Sequence, residues 1–280
     1  MDRTTTQLAA AVAATYVVLA GSVRVMDGAA AGPPSARQLY EAARERYARM
    51  DSYIARLTRR EVVRGERRPE EVILFKFRET PWSAYMKWLG EEGRGREGLY
   101  VKGQHGDRVH VRLAGGDMPF VPAGRRMALA PDGALLRSAS PHPITEAGLG
   151  ASIAKVGEVV SALGRGDRRR GELAVVGPER RPEFAEPPYG VEHRLPAGAD
   201  PALPEGGRRT YYFDPVTSLP TLFVTHDHTG REVEYYRYDR LQPDVGLNDA
   251  DFDPDRLWAP PPDPTRGAPS APAFSGPNRP

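Results

Sequence analysis

His226-Asp227-His228 places two imidazoles and a carboxylate within three residues. On an extended strand His226 and His228 point the same way and could share a metal ion. The next residues, Thr229-Gly230, make Asp227 the start of an Asp-x-Thr-Gly turn instead, a hairpin tip whose polar groups meet water. No third ligand stands nearby in sequence, so the turn is the preferred reading and no metal is expected. His142 and Glu146 have the residue types of an acid–base pair. Glu146 also sits at the expected start of a helix, where the dipole alone accounts for a carboxylate. Arg165, Arg168, Arg169 and Arg170 could hold a phosphate or an anionic lipid head, but a solvated basic loop explains them as well. The chain has no Gly-x-Ser-x-Gly elbow, no phosphate loop and no His-Glu-x-x-His pair. It has no cysteine, which excludes thiolate catalysis, disulfides, a zinc–thiolate site and a lipidated Cys after a leader. A net charge of +2 over 280 residues gives no long-range attraction to nucleic acid. The expectation is a protein that is not an enzyme and carries no cofactor.

The remaining candidates are aromatic. Phe75, Phe77, Trp82, Tyr85, Met86 and Trp88 fall within one short stretch, where aliphatic residues would serve an ordinary core equally well. Ile73, Phe75 and Phe77 share one face by strand alternation, and so do Trp82, Ala84, Met86 and Trp88. These six are the candidate lining of an apolar ligand cleft; core packing is the alternative for each taken singly.

The elements that must position them follow from pattern. Ser35-x-x-Gln38 is a capping box, and Leu39, Ala43, Tyr47 and Met50 then recur on one helical face. Residues 53–58 and 72–78 alternate as two strands about an Arg64-Gly65-Glu66 turn. Strands are also expected at 82–89, 98–103 and 107–113. Thr145 is the expected cap of a second helix, with Leu149, Ile153, Val156, Val160 and Leu163 as its apolar stripe and Gly164 as its stop. Gly148, Gly150 and Gly157 weaken that helix but permit close backbone approach to the sheet. Strands return at 173–176 and 191–195. Tyr211-Tyr212-Phe213, Thr221–Thr225 and Arg231–Leu241 then form three more. In the last of these, Val233 and Tyr235 oppose Tyr236 and Tyr238, so either both faces carry aromatics or a bulge shifts the phase. This order is not the alternation of a parallel sheet. It predicts an α+β fold, a strongly curved antiparallel half-barrel wrapped around two helices.

Two sets of motifs resemble known families. The aromatic strand, the Asp214-Pro215-x-Thr217-x-Leu219-Pro220 turn, two further strands and the ending Asp249-Ala250-Asp251-Phe252-Asp253 resemble the last part of the periplasmic lipoprotein-carrier (LolA/LolB-like) superfamily. Lys76–Leu89, Gly95–Gly103 and His142–Leu149, taken in that order, resemble the bacterial domain of unknown function 1571, grouped with the same fold. The resemblance covers roughly residues 39–254. It implies the half-barrel with a greasy cleft between sheet and helices, but no established activity.

Residues 1–31 read as a signal peptide, with an apolar run at Leu8–Ala20 and small residues at Ala29–Ala31; an uncleaved membrane anchor is the alternative. Residues 32–258 are the expected carrier-like domain, and the Pro-rich residues 259–280 a disordered tail. The protein is thus expected in the periplasm, binding a lipid or acylated protein in an apolar cleft. No nucleic acid partner is expected, and membrane contact is at most transient once the leader is removed. The alternatives are an envelope interaction module with a filled core and, last, a hydrolase using His142 and Glu146.

Overall fold

The computed structural model describes residues 32–259. The expected leader and all but the first residue of the expected tail lie outside them. The first helix, α1 (Ala36–Tyr47), begins as its sequence dictates: Gln38 donates its backbone N–H to Ser35 Oγ, and Ser35 returns its own to the Gln38 side chain. Eleven strands then form one antiparallel path. In chain order they are β1 (Ser52–Val63), β3 (Glu71–Arg78), β4 (Ser83–Trp88), β5 (Glu97–Val101), β6 (Val109–Arg112) and β7 (Arg126–Leu129), then β8 (Glu172–Val176), β9 (Tyr189–Leu195), β10 (Gly207–Phe213), β11 (Pro220–Asp227) and β12 (Glu232–Pro243). The stub β2 (Glu66–Arg67) pairs only with β1. Between the two strand groups lie the short α2 (Ala134–Ala139) and the long α3 (Leu149–Gly164); α4 (Pro254–Leu257) closes the described chain.

Across the sheet the order is β7-β6-β5-β4-β3-β1-β12-β11-β10-β9-β8, so the first and last long strands meet in the centre. Laid flat, β7 and β10 would stand about 38 Å apart, at about 4.8 Å per strand. Yet Leu129 of β7 and Tyr211 of β10 line one cavity, so the sheet is strongly curled. The expected half-barrel against helices is therefore the fold that forms. Its concave face holds the main core, in which Ile73, Phe75 and Phe77 pack with Ala84, Met86 and Trp88 and with Leu149, Ile153 and Val156 of α3. The ladder puts Ile73 opposite Trp88, Phe75 opposite Met86 and Phe77 opposite Ala84, as strict alternation requires.

Part of the convex face is covered by the segment that follows β12. Lys76 and Arg78 of β3 pair with Asp251 and Asp249 at 2.9 and 2.8 Å, and the Arg78 guanidinium lies 5.0 Å from the centre of the fully buried Phe252 ring. Two of the motifs read in the sequence, Lys-Phe-Arg and Asp-Ala-Asp-Phe-Asp, are thus halves of one clasp. Tyr235 faces outward with Tyr212, Leu222 and Val224, while Tyr236 and Tyr238 face inward. The ladders of β12 run unshifted through Tyr235–Tyr238, so both faces carry aromatics and no bulge intervenes there.

One helix start differs from the sequence reading. Thr145 lies in a single 3-10 turn, and α3 begins at Leu149 with Gly148 as its cap. Gly148 has φ +101°, and a Cβ there would stand 2.8 Å from the Tyr53 hydroxyl, which accepts the Leu149 N–H at 2.9 Å. The helix can start only where a residue without a side chain lets the backbone meet that phenol. Gly150 and Gly157 serve the same close approach, but toward Tyr47 and Tyr40 of α1 instead of the sheet. Among the described residues no helix is long and apolar enough to cross a membrane.

Candidate functional site

A cavity of about 600 Å³ lies inside the curl, within the range of small-molecule sites. One wall is apolar: Met86, Val109, Val111 and Leu129 from the β4–β7 arm, with Leu136 and Ile144 from the segment after β7. The cap residue Gly148 lines the cavity too, with Ala151, Ser152 and Lys155 of α3, which share a face by their three- and four-residue spacing. The opposite wall is ionic and comes from β1 and β10–β12.

That wall is bonded to itself. Glu61 accepts from the Ser140 hydroxyl at 2.9 Å and from the Tyr236 phenol, and Arg59 stands 3.9 Å away. Glu234 accepts from His142 Nε2 at 2.6 Å and from Arg209 at 3.4 Å; Arg209 also reaches Asp200 at 3.4 Å. Ser140 and His142 thereby fasten the segment that closes one side of the cavity to β1 and β12. At the other end Glu71 accepts from Arg59, from Trp88 Nε1 at 2.7 Å and from Arg96 at 3.4 Å. Arg96 also pairs with Asp117. The Trp88 ring lies 5.8 Å from the Arg59 guanidinium and 5.2 Å from that of Arg96, close enough for cation–π attraction to both.

These bonds set the titration of the wall. Burial alone opposes ionisation of Glu234, but the bond from His142, the charge of Arg209 and the Thr225 hydroxyl outweigh it and hold the carboxyl at about 2. Burial and the carboxylates of Glu61 and Glu234 push the Tyr236 phenol well above its usual range. A carboxyl depressed in the folded state adds stability above its unfolded value and loses it as pH falls. Glu234 is therefore expected to contribute about 3 kcal/mol at neutral pH, lost progressively between about pH 4.5 and 2. Acid titration of urea unfolding checks this, and Glu234→Gln should flatten that part of the curve.

The six aromatic-stretch candidates do not stay together. Met86 and Trp88 line the cavity. Phe75 and Phe77 point to the same side but are sealed in the core beneath α3, outside the cavity wall. Trp82 also stays off the wall, edge-on to Phe77 and Tyr100 at 5.4 and 5.8 Å. Tyr85, one residue out of phase with Ala84 and Met86, lies on the convex face and donates to Glu97 at 2.5 Å. His142 meets Glu234 and not Glu146, which lies on the cavity rim. Asp227 caps its hairpin, accepting from Thr229 N–H and Oγ1 at 2.9 and 2.6 Å, and no cluster suited to a metal forms among the described residues. Sequence reasoning missed Arg59, Glu61, Arg96, Arg209 and Glu234. For Arg59, Glu61, Arg209 and Glu234 the one signal was charge in phase with the inward residues of their strands; Arg96, in the turn before β5, gave none.

The family described as "Protein of unknown function (DUF1571)" matches residues 50–259. No curated protein matches the sequence. Among solved structures, an uncharacterised conserved protein of Thermus thermophilus aligns at 10% identity and TM-score 0.44, over 78% of this chain and 93% of that one. The complex of MucA and MucB from Pseudomonas aeruginosa aligns at 14% identity and TM-score 0.43, over 78% of this chain and 60% of that one. A LolA superfamily protein of Nitrosomonas europaea aligns at 13% identity and TM-score 0.33, over 80% and 99%.

Proposed function

The chain belongs to the DUF1571 family, and from that premise we propose that it is an exported, non-catalytic envelope protein that binds a lipid or an acylated partner inside its curled sheet. The observation that carries this reading is the cavity of about 600 Å³, with a continuous apolar wall from Met86 to Ile144. The methionines Met86 and Met118 on its lining suit a flexible chain, because Met repacks readily. The non-catalytic part is supported by the hydrogen bonds. The Ser140 hydroxyl is given to Glu61 and the His142 ring to Glu234, so these two are not paired as nucleophile and base. An envelope interaction module is the second reading, favoured by the ionic wall that is already bonded within the protein.

Titration with the uncharged fluorophore N-phenyl-1-naphthylamine separates the two. The carrier reading expects saturable binding, weakened about tenfold or more by Ala151→Phe, since that residue faces the cavity from α3. The melting temperature of the variant should stay within a few degrees of the wild type, because the ring fills space instead of displacing packed atoms. Wild-type protein that binds no fluorophore, and carries no adduct in native mass spectra when purified from its own host, would leave the interaction module.

A further inference from the structure

The end of the domain where α1 begins and α3 stops is basic. Arg165 follows α3 directly, and Arg168, Arg169 and Arg170 form a single 3-10 turn just after it. Arg37 of α1 joins them, since a Cβ on Gly164 would stand 3.2 Å from its guanidinium. All five side chains are exposed, and none of them lines the cavity. Arg37 pairs with Glu41 at 3.6 Å and Arg169 with Asp167 at 3.2 Å, but the two arginines remain 59% and 93% exposed, so these pairs yield readily to another anion. Arg165, Arg168 and Arg170 make no ion pair among the described residues. The next carboxylate along the chain, Glu172, stands opposite Arg194 across the ladder. The turn that carries the arginines is fastened: the Asp167 N–H donates to the Ala162 carbonyl at 3.0 Å, and His193 Nε2 donates to that of Arg170 at 2.6 Å. The dipole of α3 accounts for one cation at its C-terminus, not for four within six residues.

Residues 1–31, with the apolar run Leu8–Ala20, join the domain at this same end, through residues 32–35 ahead of α1. The net charge of +2 gives the molecule as a whole no pull toward an anionic surface, so attraction has to be local to such a patch. We propose that this end docks the protein reversibly on the anionic head groups of a lipid bilayer. A guanidinium pairs with phosphate through two parallel N–H bonds, and several of them on one end suit a plane of phosphates better than a single small anion. The exposed large apolar side chains among the described residues, Leu89, Phe120, Leu135 and Val216, belong to other segments. The contact is therefore electrostatic, without insertion of side chains into the hydrocarbon. It does not depend on what the cavity holds.

Co-sedimentation of the protein with vesicles tests this. At about 50 mM salt it is expected to bind vesicles of about 30 mol% phosphatidylglycerol in phosphatidylcholine and to leave pure phosphatidylcholine vesicles alone, with release at about 0.5 M salt, where charges are screened within a few ångströms. The triple variant Arg165→Gln/Arg168→Gln/Arg170→Gln should bind the anionic vesicles at least about thirtyfold more weakly, in keeping with three arginines lost from an anionic surface. Arg125→Gln/Arg137→Gln/Arg180→Gln removes the same charge from exposed arginines on other segments and should stay within about threefold of the wild type. Equal binding to both kinds of vesicle, binding that resists salt, equal losses in the two variants or no binding by the wild type would each overturn the proposal. Fluorophore binding should be unchanged in the first variant, so this surface and the cavity fail or stand separately.

Discussion

Replacing Arg59 alone, as Arg59→Met, is expected to lower the unfolding free energy by about 3–5 kcal/mol. The Arg59 side chain is 11% exposed and stands between Glu61 and Glu71, with the Trp88 ring 5.8 Å from its guanidinium. Methionine would keep most of the packing volume but leave Glu61, 4% exposed, as a buried carboxylate with only the hydroxyls of Ser140 and Tyr236. Glu71 would fare better, because Arg96 still reaches it at 3.4 Å and Trp88 Nε1 at 2.7 Å. The double variant Arg59→Met/Glu61→Gln should therefore recover much of the loss, since it removes the orphaned charge and keeps an acceptor for both hydroxyls. Urea unfolding of the two variants checks the cycle. A loss below about 1 kcal/mol in the single variant would mean that water screens the pair as it screens a surface one.

The same residues mark how far the sequence could be read. The capping box at Ser35 and Gln38, the paired faces of β3 and β4, and the order of most strands follow from local pattern, because each depends on neighbours within a few positions. The four residues of β7 and the six of α2 were not legible: each is too short for a period of two or 3.6 to declare itself. The ionic wall was illegible for a different reason. His142 and Glu234 are 92 positions apart, and Tyr236 and Glu61 are 175 apart. The pairing of β1 with β12 brings Tyr236 to Glu61, and the segment after α2, fastened over that centre, brings His142 to Glu234. Inward charges on β1, β10 and β12 read as ordinary strand irregularities until the partners are known. Tyr85 is the reverse case. Its alternation with Ala84 and Met86 already sends it to the convex face, so its aromatic character misled where its position did not.

Phe75→Ala and Met86→Ala, though cross-strand neighbours, are expected to part company in opposite directions. Phe75 is fully buried beneath α3, with the Tyr53 and Tyr238 rings each 5.9 Å away and Phe77 at 6.3 Å. Truncating it removes a packed ring and leaves a void that these aromatic neighbours cannot close, at about 3–5 kcal/mol. The fluorophore affinity of the remaining folded protein should change little, because Phe75 is not on the cavity wall. Met86 is 6% exposed but lines the cavity, so its truncation enlarges an existing space instead of opening a sealed one. Its cost should fall near the lower end for such a change, about 2 kcal/mol, and the fluorophore should bind more weakly because apolar contact area is lost. Urea unfolding and fluorophore titration on both variants decide the matter. The reverse pattern, with Phe75→Ala controlling binding and Met86→Ala controlling stability, would mean that the aromatic hairpin is not divided into a core side and a ligand side along the line where Phe75 faces Met86.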